Sequence, residues 1–299
     1  MITPHSTEHG LSLSASAAAV GLGSDLRVIT VDGNRVAYRD EGAGEVLLLI
    51  HGLGANSSSW RAVLPKLATE YRVITPDLPG HGLSDPLPGE HSPAAFADWL
   101  RDLLDALGIP AVTVVGHSFG GGLAMQFADQ HRDYCRRLVL LSSGGLGREV
   151  IPMLRLLSLP GAGLVLALLV RGRQAGADNH EGKVGGETST VRQSLANPRN
   201  RKAILDTLRC VVDRRGQKVC ALDRLGVLAD LPTQIIFGAS DAVIPVAHAY
   251  AAHQRLPSSR LHVLPGVGHS PQVDSPDVVV ELIDEFVSQS SRDALVPAA

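Results

Sequence analysis

Short apolar runs alternate with amphipathic stretches along most of this chain. Residues 28–31 and 35–38, separated by Asp32-Gly33-Asn34, read as a β-hairpin with a glycine-containing turn. Val46-Leu-Leu-Leu-Ile50 is apolar throughout, the pattern of a strand covered by helices on both faces. Runs of the same kind recur at 72–75, 112–115, 138–141, 234–237 and 260–264, with helical patterns between them at 58–69, 93–107, 120–130, 246–254 and 277–288. Strands alternating with helices predict an α/β chain with right-handed connections and a mostly parallel sheet. The opening hairpin is then an antiparallel edge.

One stretch breaks the alternation. From 144 to 227 no buried strand is predicted, only helix-like segments at 149–157, 164–170 and 201–212, interrupted by a polar, glycine-rich passage at 171–190. A long, partly apolar insertion between sheet strands suits a lid over a site better than a surface excursion. The expected organisation is a tail at 1–24, a first core part at 25–143, a helical cap at 144–227, a second core part at 228–290 and a tail at 291–299.

Composition narrows the partners. The 299 residues are 44% hydrophobic and 19% charged, a globular balance that fits two domains or one domain with an insertion. Lys and Arg number 27 against 30 Asp and Glu, a net charge of −3, which lacks the basic surface that nucleic-acid binding requires. Cys135, Cys210 and Cys220 are too few and too scattered for a disulfide scaffold or a zinc site, so a reducing cytoplasm is expected. Residues 1–23 lack a basic leader and a sustained apolar core, and read as a tail rather than a signal peptide. The most lipid-like run, 163–170, is far shorter than the roughly 20 apolar residues a membrane span takes.

Chemistry concentrates at Gly116-His117-Ser118-Phe119-Gly120-Gly121. This is a G-x-S-x-G pattern with a buried strand before it and a helix after it, the context that gives the pattern meaning. A sharp strand-to-helix turn holds the Ser118 hydroxyl clear of the sheet, and glycines at 116 and 120 avoid collisions across it. The Phe119 N–H, first in its helix, has no intrahelical partner and can stabilise an oxyanion. His51-Gly52-Leu53-Gly54, after another strand, offers the Leu53 N–H as a second donor. His51 itself reads as a packing or hydrogen-bonding residue. Serine needs a base. His269 lies in a glycine-rich loop after the last strand, and Asp241 in a loop after the strand before it, both at the carboxyl edge that carries Ser118. No histidine has metal-ligand spacing, and Gly21-Leu-Gly23 precedes a hairpin rather than a dinucleotide-binding helix. No metal and no cofactor are expected.

With these motifs the chain, from about 27 to 289, resembles the α/β-hydrolase fold superfamily in its serine-nucleophile branch. The resemblance implies an eight-stranded sheet with an antiparallel second strand, Ser118 as nucleophile, His269 as base and acid, Asp241 as its partner, and Leu53 and Phe119 N–H groups as the oxyanion hole. Epoxide hydrolases and dehalogenases of this fold use an Asp nucleophile, so Ser118 argues against their chemistry. C–C bond hydrolases of ring-cleavage products resemble the chain in size and triad. They usually carry Gly-Pro-Gly where this sequence has Gly54-Ala-Asn-Ser, and Asn-Ser-Met where it has His117-Ser118-Phe119. The expected function is hydrolysis of a carboxylic ester of a small, largely apolar substrate through an acyl-enzyme on Ser118. Cleavage of a C–C bond in a ring-cleavage or polyketide-like ketone is the alternative, and a ligand-sensing, non-catalytic member comes third. Candidate substrate contacts are His51, Gly52, Met153 and Leu157, with Arg192 available for a substrate carboxylate. The expected partner is a small molecule, and a homo-oligomer stays open.

Overall fold

Alternating side chains sort the strands into two apolar layers. The computed structural model describes residues 26–164, 166 and 187–293. Its strands are β1 (Leu26–Val31), β2 (Asn34–Glu41), β3 (Val46–Ile50), β4 (Arg72–Pro76), β5 (Val112–His117), β6 (Cys135–Leu141), β7 (Val212–Asp213), β8 (Gly216–Gln217), β9 (Thr233–Gly238) and β10 (Arg260–Leu264). Eight of them form one sheet in the order β1-β2-β4-β3-β5-β6-β9-β10. Pairing is parallel from β4 through β10, whereas β2 runs antiparallel to both β1 and β4. The β1–β2 turn has positive φ at Asp32 (49°) and Gly33 (79°), the backbone of a two-residue hairpin turn, so Asn34 pairs with Val31 and belongs to β2.

Helices cover both faces. In chain order they include α1 (Leu64–Leu67), α2 (Pro93–Ala106), α3 (Phe119–Gln130), α4 (Pro152–Leu157), α5 (Glu187–Ala196), α6 (Pro198–Val211), α7 (Ala247–Arg255), α8 (Pro271–Asp274) and α9 (Pro276–Asp293). Leu48, Ile50, Val114 and Leu140 point to a core shared with α2, α3 and α7. Leu47, Leu49, Val115 and Val139, one position away, point to a second core under α1 and α9. That period of two on doubly covered strands is why the runs read as continuously apolar.

Several boundaries differ from the sequence expectation, each for a local reason. The helix expected over 58–69 is a 3₁₀ turn at Ser57–Trp60 followed by the single turn α1. Pro65 lacks an N–H and disfavours helical backbone before it, so one continuous helix cannot pass through. The helix expected at 149–157 starts instead at Pro152, which occupies the first turn of α4. The supposedly strandless stretch holds the β7–β8 ladder, two residues per strand and too short for any periodic signal. The last residues of the glycine-rich passage, from Glu187, already belong to α5, and α9 runs to Asp293, past the expected tail boundary. The expected tail at 1–24, most of the helix at 164–170 and most of 171–190 lie outside the described residues. Among the described residues no helix is long and apolar enough to cross a membrane.

The sheet places five loops together. β3, β5, β6, β9 and β10 run in one direction and end beside one another, in the registers Ile50 with Gly116, His117 with Leu141, Leu141 with Ile236, and Gly238 with Leu264. The closest packing at this edge is backbone against backbone. A Cβ on Gly120 would lie 2.2 Å from the Ile50 carbonyl oxygen and 2.6 Å from that of His51. Neither can retreat without breaking β3. Gly120→Ala should therefore destabilise the protein by about 1–3 kcal/mol, read in calorimetry as a Tm lower by about 3–10 °C, although alanine is the better helix former.

Candidate active site

Ser118 follows β5 and caps α3 with φ 55° and ψ −119°, a backbone conformation that side chains resist. Four hydrogen bonds impose it. Ser118 N–H donates to the Leu141 carbonyl at 3.0 Å, and the Ser118 carbonyl accepts from Gly121 N–H at 3.0 Å, Gly122 N–H at 3.4 Å and Gly144 N–H at 2.8 Å. A Cβ on Gly116 would meet the Gly120 carbonyl oxygen at 2.3 Å, so the turn closes only without one.

The loops after β9 and β10 meet the elbow. Gly238 permits this contact, since its Cβ would lie 2.0 Å from the Gly268 carbonyl oxygen. His269 Nε2 stands 3.0 Å from Ser118 Oγ, and His269 Nδ1 stands 2.8 Å from Asp241 Oδ2. The other Asp241 oxygen accepts from the N–H groups of Val243 and Ile244 at 2.8 and 2.9 Å. Burial pushes the Asp241 carboxyl up. The His269 hydrogen bond, the positive form of that ring and the two backbone donors outweigh it, and the group ends below the usual carboxylate range.

The oxyanion candidates sit on either side of Ser118. Phe119 N–H is the first of α3, and neither it nor Leu53 N–H has a hydrogen-bond acceptor among the described residues. Gly52 brings the Leu53 loop close, because its Cβ would stand 3.3 Å from Ser118 Cβ. A cavity of about 130 Å³ opens at Ser118, Phe119 and Leu53 and is walled largely by apolar side chains such as Val150, Leu208, Leu225 and Ile244.

Comparisons with known proteins identify the family to which this fold belongs. A family model for the alpha/beta hydrolase fold matches residues 45–276. The chain belongs to the α/β-hydrolase family. It is 42% identical over 275 residues to an uncharacterized protein of Mycobacterium tuberculosis, covering 88% of this chain and 81% of that one. It is 29% identical over 276 residues to 2-hydroxymuconate semialdehyde hydrolase of a Pseudomonas species, covering 90% and 96%. Among solved structures it resembles a thermophilic esterase from Thermogutta terrifontis, with a TM-score of 0.68, 27% identity, and coverage of 89% and 98%.

Not every sequence candidate of this α/β-hydrolase reaches the cavity. His51 is fully buried: its Nε2 accepts from Leu78 N–H at 2.9 Å, which leaves Nδ1–H to donate to the Gly52 carbonyl at 2.8 Å. It braces the loop from behind, and neither it nor Gly52 lines the cavity. Met153 is 58% exposed on α4 and turns outward, while its neighbour Leu154 lines the cavity. Leu157 packs into the small cluster of Val150, Leu205, Leu208 and Val212 rather than the cavity wall. Arg192 is exposed on α5, outside the lining. One-residue offsets on a helix decide these outcomes, and periodicity cannot resolve them.

Two roles are not assigned from the sequence, where His117 reads only as packing beneath the elbow. His117 Nε2–H donates to the backbone carbonyl of His269 at 2.8 Å, tying the nucleophile strand to the base loop. Gln217 on β8 accepts from Gly145 N–H at 2.7 Å and donates to the Glu149 carbonyl at 3.2 Å. It lines the cavity from a strand too short to predict. By contrast, burial pushes His81 down to about 3, so it stays neutral beneath the loop, beside an Asp77 whose carboxyl burial pushes up. Among the described residues no group of three or more His, Cys, Asp or Glu could hold a metal ion.

The lowered Asp241 value sets a sign. A carboxyl whose pKa is lower folded than unfolded adds stability that is complete well above its unfolded value near 4 and is lost as pH falls through the folded value. Asp241→Asn should therefore lower stability in urea titrations at pH 7, with the gap from the parent protein constant down to about pH 5 and narrowing only below about pH 4.

Proposed function

We propose that this α/β-hydrolase cleaves a carboxylic ester through an acyl-enzyme on Ser118. The observation that carries the reading is the hydrogen-bonded chain from Ser118 Oγ through His269 to a buried Asp241, with Ser118 held in a strained conformation at the floor of an apolar cavity. His269 Nε2 takes the hydroxyl proton as Oγ attacks the carbonyl carbon, and Asp241 holds the ring in position and stabilises its charged form. The carbonyl oxygen, now negative, receives hydrogen bonds from the Phe119 and Leu53 N–H groups. Collapse expels the alcohol with the proton from His269. Water, deprotonated by the same imidazole, then releases the acid and restores Ser118.

The segment between β6 and β9 serves as the cap in this reading. Leu53 packs against the cluster of Val150, Leu205, Leu208 and Val212. Asn200 Nδ2 donates to the Gly82 carbonyl at 3.1 Å, and Arg199 pairs with Asp85 at 3.0 Å. A Cβ on Gly54 would meet Val191 at 3.3 Å. α5 and α6 thus close over the oxyanion loop, and excluding water there strengthens each hydrogen bond to the developing charge.

C–C bond cleavage of a ketone with the same three groups is the second reading, favoured by the similarity to 2-hydroxymuconate semialdehyde hydrolase. The cavity favours the ester. Among the described residues lining it, the only cation is Arg224, already paired with Asp129 at the far end, so a carboxylate next to Ser118 lacks a counter-charge.

A fluorophosphonate should label Ser118 in the parent protein and leave Ser118→Ala unlabelled, as located by peptide mass spectrometry. On p-nitrophenyl esters Ser118→Ala should lose about 10⁴-fold or more in kcat with the fold intact. A folded parent protein that resists labelling, or a Ser118→Ala variant that keeps its turnover, overturns the reading.

A further inference from the structure

Four glycines crowd the turn and first helical residues around Ser118, and three have a steric cause. A Cβ would lie 2.3 Å from the Gly120 carbonyl oxygen if placed on Gly116, 2.2 Å from the Ile50 carbonyl oxygen on Gly120, and 2.2 Å from Ser143 Oγ on Gly121. Gly122 has no such cause. Its nearest neighbour would be the Gly144 carbonyl oxygen at 3.5 Å, an ordinary contact, and its φ is not in the left-handed region. Glycine inside a helix is less stable than alanine, so the backbone gains nothing from it.

What Gly122 does face is the cavity. Ser118, Gly122, Gln126 and Asp129 recur at intervals of three and four residues, hence on one face of α3, and all four line the same cavity. Eleven residues of helical rise put Asp129 about 16 Å from Ser118. Leu225 and Leu228, from the 3₁₀ turn Leu222–Leu228, form part of the facing wall, and the Asp129–Arg224 ion pair marks the far end. His269 is absent from the lining. The leaving alcohol must sit beside His269 to collect its proton, so this cavity lies on the acyl side of the scissile bond.

We infer that Gly122 is the specificity-determining position that opens a trough along α3, and that the substrate is an ester with an extended apolar acyl chain rather than a compact one. The inference rests on Ser118 being the nucleophile. A side chain at 122, one turn beyond Ser118, would stand where the chain must pass, whereas a short acyl group would end before it.

Inactivation by p-nitrophenyl alkylphosphonates tests this, because the alkyl group takes the place of the acyl chain and reaction needs no knowledge of the natural substrate. The parent protein should react with the octyl reagent about tenfold or more faster than with the methyl reagent, through burial of the extra methylenes. Gly122→Leu should cut that octyl-to-methyl rate ratio by about tenfold or more, and Gly122→Val should do the same if the leucine variant does not fold. Gly122→Ala should keep or raise Tm, by about 2–4 °C, as expected for a helix position with room for a methyl group. A folded Gly122→Leu or Gly122→Val with an unaltered ratio overturns the inference, and so does a Gly122→Ala that lowers Tm, which would give the glycine a packing role. Failure of both reagents to modify Ser118 in the parent protein instead removes the serine mechanism itself, and this inference with it.

Discussion

Ser118 is held at φ 55° between a sheet and a helix, and much of the surrounding backbone is arranged to keep it there. A non-glycine residue in such a region costs about 1–3 kcal/mol and persists only where its neighbours leave no alternative. Here the Leu141 carbonyl fixes its N–H, while Gly121 and Gly144 fix its carbonyl. Glycines at 116, 120 and 121 remove the side chains that would prop the turn open. The reward is geometric. The hydroxyl stands off the sheet edge within 3.0 Å of His269, and the Phe119 N–H is released from helical pairing at the same point.

That constraint propagates through the parallel strands. Since β3, β5, β6, β9 and β10 end side by side, the residues following each strand share one edge however far apart they lie in the chain. Each contact between these loops has backbone on at least one side: Gly52 against the Ser118 side chain, Gly238 against the Gly268 carbonyl, and the His269 carbonyl held by the His117 ring. Rigid backbone contacts of this kind set distances more tightly than side chains on mobile loops could. From the segment between β6 and β9, α6 packs against Leu53 and β8 supplies Gln217 to the Gly144–Gly145 turn.

Charge is spent sparingly at this edge. The Asp241 side chain has no exposed surface, yet it stays below the usual carboxylate range because each oxygen has partners: His269 on one, Val243 and Ile244 N–H on the other. The nearby buried imidazoles of His51 and His81 contribute hydrogen bonds rather than charge, His81 through an acid-shifted ring and His51 through backbone on both sides. The ionic pair that does border the cavity, Arg224 with Asp129, is placed at its far end. In this largely apolar pocket the Phe119 and Leu53 N–H groups, unpaired among the described residues, are then the polar features beside Ser118 on which the proposed oxyanion hole relies.

Chain pattern alone determined the α/β class and the eight sheet strands, and it singled out Ser118 at the strand-to-helix turn with Asp241 and His269 as its candidate partners. It could do so because buried parallel strands force continuous apolar runs, and because a strand-to-helix turn with G-x-S-x-G tolerates few other residues. Pairs of residues far apart in the chain were legible only through their shared position after a strand. The helices of 144–227 were far less legible: α5 carries no strong apolar stripe, and the β7–β8 ladder has two residues per strand. Tertiary structure alone decided which side chains of 144–227 reach the cavity, taking Leu154 and Leu208 in and turning Met153 and Arg192 away. It also decided that His117 serves the His269 loop and that Gly122 lines the cavity. Those outcomes depend on which surface each helix presents to a partner distant in sequence. That is a property of packing, and no local pattern encodes it.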